Sequence, residues 1–326
     1  MQRYNVQEFI KTGSDKVDEA LGGGLARGAL TQIFGEKGVG KSLLALQIAC
    51  YVVSRGRSAV ILDTEQSYKH LLGWLPSFNK RFGKQIKVVW SKVERDIKRK
   101  KASEVKAALE ALFSQLKMPI DQSKIQAILW IISPDVNLSY EREKEPAIYI
   151  ISSPYIRDIL HIHGIRADIS SSSGGRVEVR MLPGMIVDVL SSPLGELIKS
   201  VKADILIYDS LSMPFKSTFI STQDLPARSA TLAMLLSQAQ KLCNSLNIAI
   251  LAINHTSENP SNPYERGKPY GGKIVGYDFK FSYEMVNLTK GSKCSEQRRA
   301  IIVHRHLLMP PYSRNVEVVI TNEGFI

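Results

Sequence analysis

Cysteine is scarce in this chain. Its 326 residues contain three, Cys50, Cys243 and Cys294, far apart and with no Cys-x-x-Cys pair. That count argues against a disulfide framework or a cysteine-built zinc site and suits reduced thiols in a cytoplasmic setting. Long apolar runs are missing too. No stretch reaches the roughly 18 uncharged apolar residues that a membrane span needs. The opening residues, Met1-Gln2-Arg3-Tyr4-Asn5, carry no apolar signal segment. Acidic residues are few beside basic ones, 31 against 43, for a net charge of +12 and a pI of about 9.5. Such a balance fits a polyanionic partner such as nucleic acid, or simply a basic host proteome. The excess is concentrated: residues 80–106 hold eleven basic and three acidic side chains.

What is present begins with a short apolar strand at 29–34, followed by Gly35-Glu36-Lys37-Gly38-Val39-Gly40-Lys41-Ser42 and a helix from Lys41 to about Ser54. The glycine loop fits G-x-x-x-x-G-K-[ST], and a strand before it and a helix after it are the context that motif requires. Glycines let the backbone curl so that its N–H groups converge on phosphate oxygens, and the helix N-terminus adds a favourable partial charge. Gly35 to Leu43 are therefore the expected nucleotide cradle. Lys41 reaches the β- and γ-phosphates of ATP, and the Ser42 hydroxyl is a ligand for Mg²⁺. By residue frequency alone the four fixed positions match in roughly one chain in a hundred of this length.

Three further apolar runs end in polar groups, where the strands of a parallel sheet present ligand contacts. Residues 58–63 lead to Asp63-Thr64-Glu65. Glu65 is the candidate to orient a water against the γ-phosphate, with Asp63 structural or a helper to the Mg²⁺ shell. Residues 203–210 end at Asp209, a metal-holding carboxylate of Walker B form. Its rival, Asp135, follows Pro134, which would break a strand. Residues 248–255 end at Asn254, a γ-phosphate sensor or a cap, and at His255, a loop residue.

With these motifs in order, the chain resembles the RecA/RadA recombinase superfamily, and most closely the archaeal RadA paralogs (RadB-like or RadC-type). Thr12-Gly13-Ser14-Asp15-Lys16-Val17-Asp18-Glu19-Ala20-Leu21-Gly22-Gly23-Gly24-Leu25 looks like that family's opening segment. Phe215-Lys216-Ser217 resembles the start of its first DNA-contacting loop. Residues 257–269 and Tyr270-Gly271-Gly272 resemble its second. The resemblance covers roughly residues 8–66 and 183–326. It implies an α/β RecA-like P-loop NTPase core with a mostly parallel central sheet, ATP and Mg²⁺ as cofactors, single-stranded DNA as partner, and ATP sites at subunit interfaces of a homo-oligomer. In RadB- and KaiC-like relatives a Lys-x-Arg pair reaches a neighbour's γ-phosphate. Here the stretch reads Val303-His304-Arg305, which keeps only the arginine. Arg305 is then a finger acting on a neighbour, or a surface arginine.

Two departures shape the expected organisation. The core starts almost at residue 1, leaving no room for the family's helical N-terminal DNA-binding domain, and no Phe-x-x-Ala filament linker is evident. About 140 residues separate Glu65 from Asp209, roughly twice the family's gap. We expect a single core over 1–326 interrupted by an inserted subdomain at about 80–182, or alternatively at 118–200. Within this stretch we expect a helix from about Ser103 to Leu116 capped by Ser103, and beyond it a strand at 185–189 and a helix at 194–201. Candidate DNA contacts are Lys216, Arg228, Arg266 and Lys268 from the loops and Lys98, Arg99, Lys100 and Lys101 from the insert, with Trp90 as a stacking surface.

The first functional reading is a slow, DNA-dependent ATPase that assists homologous recombination and repair beside a RadA-type recombinase. The alternative is a nucleotide-gated interaction module with little hydrolysis, its insert serving as the docking surface. A KaiC-like signalling ATPase would call for a duplicated core, which the sequence lacks.

Overall fold

The computed structural model describes residues 8–95, 99–116, 119, 122, 125, 136–171, 176–257, 268–288 and 297–326. The strands in chain order are β1 (Phe9–Ile10), β2 (Leu25–Ala26), β3 (Leu30–Gly35), β4 (Ser58–Asp63), β5 (Lys87–Arg95), β6 (Val136–Ser139), β7 (Ala147–Ser152), β8 (Ile165–Ser171), β9 (Val177–Ile186), β10 (Ala203–Asp209), β11 (Ala249–Ser257), β12 (Lys268–Pro269), β13 (Phe281–Asn287), β14 (Gln297–Arg305), β15 (Asn315–Thr321) and β16 (Gly324–Phe325). One large sheet has the order β16-β15-β14-β13-β3-β11-β10-β4-β7-β5-β6. From β13 to β5 all neighbours are parallel, while β14, β15 and β16 at one flank and β6 at the other are antiparallel.

The central strands are apolar because helices cover both faces of the sheet. In β3, β4 and β10 every residue is buried. Alternation along each strand sends side chains to opposite faces. Ala59, Ile61, Ile205 and Ile207 pack with helix Lys41–Ser54 on one face; Val60, Leu62, Leu206 and Tyr208 pack with helices Ile156–Ile162, Pro193–Val201 and Leu225–Leu246 on the other. Helix Lys41–Ser54 buries eleven of its fourteen residues, so it is held by packing all round rather than by one amphipathic stripe.

The middle of the chain contributes to the same sheet: β7 pairs with β4, and β5 with β7. From Lys92 onward, β5 outruns β7 and pairs only with β6, so a two-stranded ribbon stands above the carboxyl edge of the sheet. The hairpin β8–β9 lies apart from it. Two local expectations change. Residues up to Ile186 belong to β9, paired with β8, and Val189–Ser191 form a single 3-10 turn, so no strand runs through 185–189. The apolar residues there serve a hairpin. The helix expected from Ser103 begins at Arg99 and ends at Gln115, which puts Ser103 inside it rather than at its cap. The apolar run 126–132 and Asp135 lie outside the described residues. Among the described residues no helix is long and apolar enough to cross a membrane.

Candidate nucleotide site

The parallel strands deliver Gly35, Asp209, Asp63 and Ser152 to one carboxyl edge, in register with His255 and Ile253 of β11. Gly35 ends β3, and only glycine fits: a Cβ there would lie 2.2 Å from the carbonyl oxygen of Met285. Gly40, with φ of 103°, turns the chain into helix Lys41–Ser54 in a left-handed conformation that other residues resist. Glu36, Lys37 and Gly38 form the exposed crown, and Val39 and Leu43 are buried beneath it.

Lys41 is buried, and its Nζ donates to the carbonyl oxygens of Gly35 at 2.9 Å and Glu36 at 2.7 Å. Burial lowers its pKa, with Asp209 and Glu65 pulling the other way. Asp209 is buried at the end of β10. Its Oδ1 accepts from Ser42 Oγ at 3.1 Å and its Oδ2 from the Tyr68 hydroxyl at 2.9 Å. Burial pushes its carboxyl up to about 7, against both hydrogen bonds. A buried carboxylate touching a hydroxyl is a hard, all-oxygen donor set that a divalent cation would neutralise, so these residues fit Mg²⁺.

Asp63 points elsewhere. Its oxygens accept from the backbone N–H groups of Ser67 and Tyr68 at 3.0 and 3.3 Å, which starts the short helix Tyr68–Leu71. Glu65 stands at the mouth of the site, and its Oε1 lies 2.8 Å from His255 Nε2. The hydrogen bond from His255 holds the Glu65 carboxyl below its usual pKa, against the effect of burial. Glu65 is therefore ionised at neutral pH, the state a water-orienting base requires.

Asn254 is buried, and its side chain is engaged. Nδ2 donates to Tyr270 O at 2.9 Å and more weakly to Gln32 Oε1 at 3.4 Å, while Oδ1 accepts from the N–H of His255. Tyr270 in turn carries two cations over its ring. Lys216 Nζ and the Arg228 guanidinium each lie 4.9 Å from the centroid, and Arg228 also donates to the Tyr270 hydroxyl. Lys268 opens β12, which pairs back onto Ser257. Lys98 and Arg266 lie outside the described residues, and Arg99, Lys100 and Lys101 open helix Arg99–Gln115.

Arg305 ends β14 at the level of Ser282 and Gln32, away from its own phosphate loop, and Nη1 donates to the carbonyls of Gly276 and Tyr277. The arginine that does meet the loop is Arg299, at the other end of β14, whose Nε donates to Val39 O at 2.9 Å. Tyr68, His255 and Arg299 thus join the site through contacts that no local motif announces.

The family model described as KaiC ATPase matches residues 10–144, and the Rad51 model matches residues 187–324. The first match covers the phosphate loop with β3, β4 and β5, and the second covers β10, β11, β13, β14 and β15 of the same sheet. The chain belongs to the RecA/RadA superfamily. Within this superfamily it is RadB-like. The DNA repair and recombination protein RadB of Methanococcoides burtonii is 43% identical over 60 residues, 18% of this chain and 27% of the relative. RadB of Methanoculleus marisnigri is 50% identical over 56 residues, 17% and 25% of the two chains. RecA of Rhodopirellula baltica is 37% identical over 80 residues, 24% and 20%. The matched stretch spans about a quarter of the length of the RadB relatives.

Proposed function

We propose that this RadB-like chain is a slow, DNA-stimulated ATPase that binds single-stranded DNA and assists a RadA-type recombinase in recombination and repair, in the cytoplasm. Lys41 leaves the carbonyls of Gly35 and Glu36 for the β- and γ-phosphates. Ser42 and Asp209 hold Mg²⁺, which supplies charge neutralisation at the transferring phosphoryl group. Glu65, steadied by His255, orients the attacking water. Arg305 acts on the site of a neighbouring copy, since it faces away from its own.

One observation carries the coupling of ATP to DNA. Glu65 is bonded to His255; the backbone of His255 is bonded to Asn254, and Asn254 to Tyr270, over which Lys216 and Arg228 lie. A strand occupying the basic cluster would press on the same short path that positions the base. Lys268 adds a third cation at that rim.

The experiment is ATP hydrolysis with and without single-stranded DNA, for the wild type and Lys41→Ala. We expect turnover that rises with DNA and is abolished in the variant. Nucleotide binding with no turnover above the variant would sink the enzyme reading. The weight would then move to a nucleotide-gated interaction protein, for which the exposed Leu112 and Leu116 near the end of helix Arg99–Gln115 offer an apolar docking face.

A further inference from the structure

A second aromatic platform stands on the carboxyl edge, built by the middle of the chain. Tyr155 follows β7 and is 58% exposed. The Arg95 guanidinium, from the ribbon of β5 and β6, lies 4.7 Å from its ring centroid. Arg95 is not free to swing. Its Nε donates to Asp158 Oδ1 at 3.0 Å and its Nη2 to Oδ2 at 2.6 Å. Asp158 is nearly inaccessible, and Oδ2 also accepts from Ser153 Oγ at 2.6 Å. A fork held at both nitrogens by a buried carboxylate is fixed in plane, so ring and guanidinium form one rigid stack. The pair would staple the ribbon to helix Ile156–Ile162 without the ring, so stapling does not explain an exposed tyrosine there.

The surroundings favour a polyanion with unstacked bases. Arg157, on the helix two residues past Tyr155, is exposed, and Lys92 is exposed on the opposite face of the ribbon. Asp158 offsets the charge of Arg95, so Arg95 and Tyr155 supply a flat surface while the exposed Arg157 supplies charge. The arrangement repeats Arg228 over Tyr270, and helix Ile156–Ile162 packs against helix Met213–Thr218, which carries Lys216. The two platforms therefore lie on adjoining elements of one edge.

We propose that the Arg95–Tyr155 stack is a second base-stacking site, extending the path of a single-stranded nucleic acid from Tyr270 onto the ribbon of β5 and β6. It rests on the single-strand binding proposed above. A duplex keeps its bases stacked internally, so the site favours single strands.

The test titrates a fluorescent oligothymidylate with the full-length wild type, Tyr155→Ala and Tyr155→Phe, with thermal midpoints for each. We expect roughly tenfold weaker binding for Tyr155→Ala, recovery in Tyr155→Phe, which keeps the ring, and equal midpoints. An iodouracil-bearing oligonucleotide should photocrosslink to the peptide holding Tyr155 in the wild type, a readout needing no variant. Wild-type affinity in Tyr155→Ala, or crosslinks confined to the Tyr270 region, would overturn the second platform and leave the first reading standing. No binding by the wild type would overturn both.

Discussion

Glu65 and His255 are 190 residues apart and 2.8 Å apart in space. Glu65 was readable as a candidate base because it follows an apolar strand. His255 was read as a loop residue because a lone histidine without metal-ligand spacing carries no local signal. The pair predicts a graded result. Glu65→Gln should lower turnover roughly 100-fold or more with nucleotide still bound. His255→Ala should lower it less, because the carboxylate remains but loses its orientation; single-turnover hydrolysis beside nucleotide titration separates the two effects. Equal affinity loss and no rate loss in either variant would remove Glu65 from the chemistry. Tyr68 and Arg299 were illegible for the same reason as His255, since each reaches the site from a distant part of the chain.

Among the elements, the strand, loop and helix around Lys41 were legible because one motif dictates all three, and the helix ends where expected at Ser54. Residues 185–189 misled because a short apolar run fits a hairpin arm as well as a parallel strand. The packing of helix Ile156–Ile162 on β10 holds a titratable contact. His163, just past the helix, is fully buried. Its Nδ1 meets the carbonyl of Ile159, which can only accept, so Nδ1 carries the proton and Nε2 accepts from the Tyr208 hydroxyl at 2.6 Å. Burial drives its pKa from the usual 6.5 to about 4. The unfolded chain therefore binds the proton first as pH falls. The stability contribution is whole above about 6.5 and is lost as pH drops towards about 4. Between about pH 7 and about pH 5 this group should cost roughly 2 kcal/mol of unfolding free energy. Denaturant titrations at the two pH values, with His163→Gln as control, check it: the variant should show the smaller pH difference.

At the scale of the whole molecule, the chain closes on itself around the phosphate loop. Gln47, buried in the helix behind the loop, donates to Phe325 O at 3.2 Å and accepts from Phe325 N at 2.7 Å. Arg81 bonds the carbonyls of Gly13, Glu323 and Phe325 together. Gln47→Leu would leave both backbone groups of Phe325 without these partners and should cost roughly 1–3 kcal/mol, read as a lower thermal midpoint; an unchanged midpoint would show the clasp to be dispensable. The glycine-loop and strand-end motifs made the RecA-type core legible, but not this closure, because hydrogen bonds between residues nearly 280 positions apart leave no periodic trace in sequence.

The clasp also sets an order of events during synthesis. The glycine loop leaves the ribosome well before the arginine on its Val39 carbonyl, which comes 260 residues later, and the strand behind Gln47 comes later still. A nascent chain thus carries its glycine loop long before it can hold that loop in shape. The loop's final shape therefore waits on residues translated long after the loop itself.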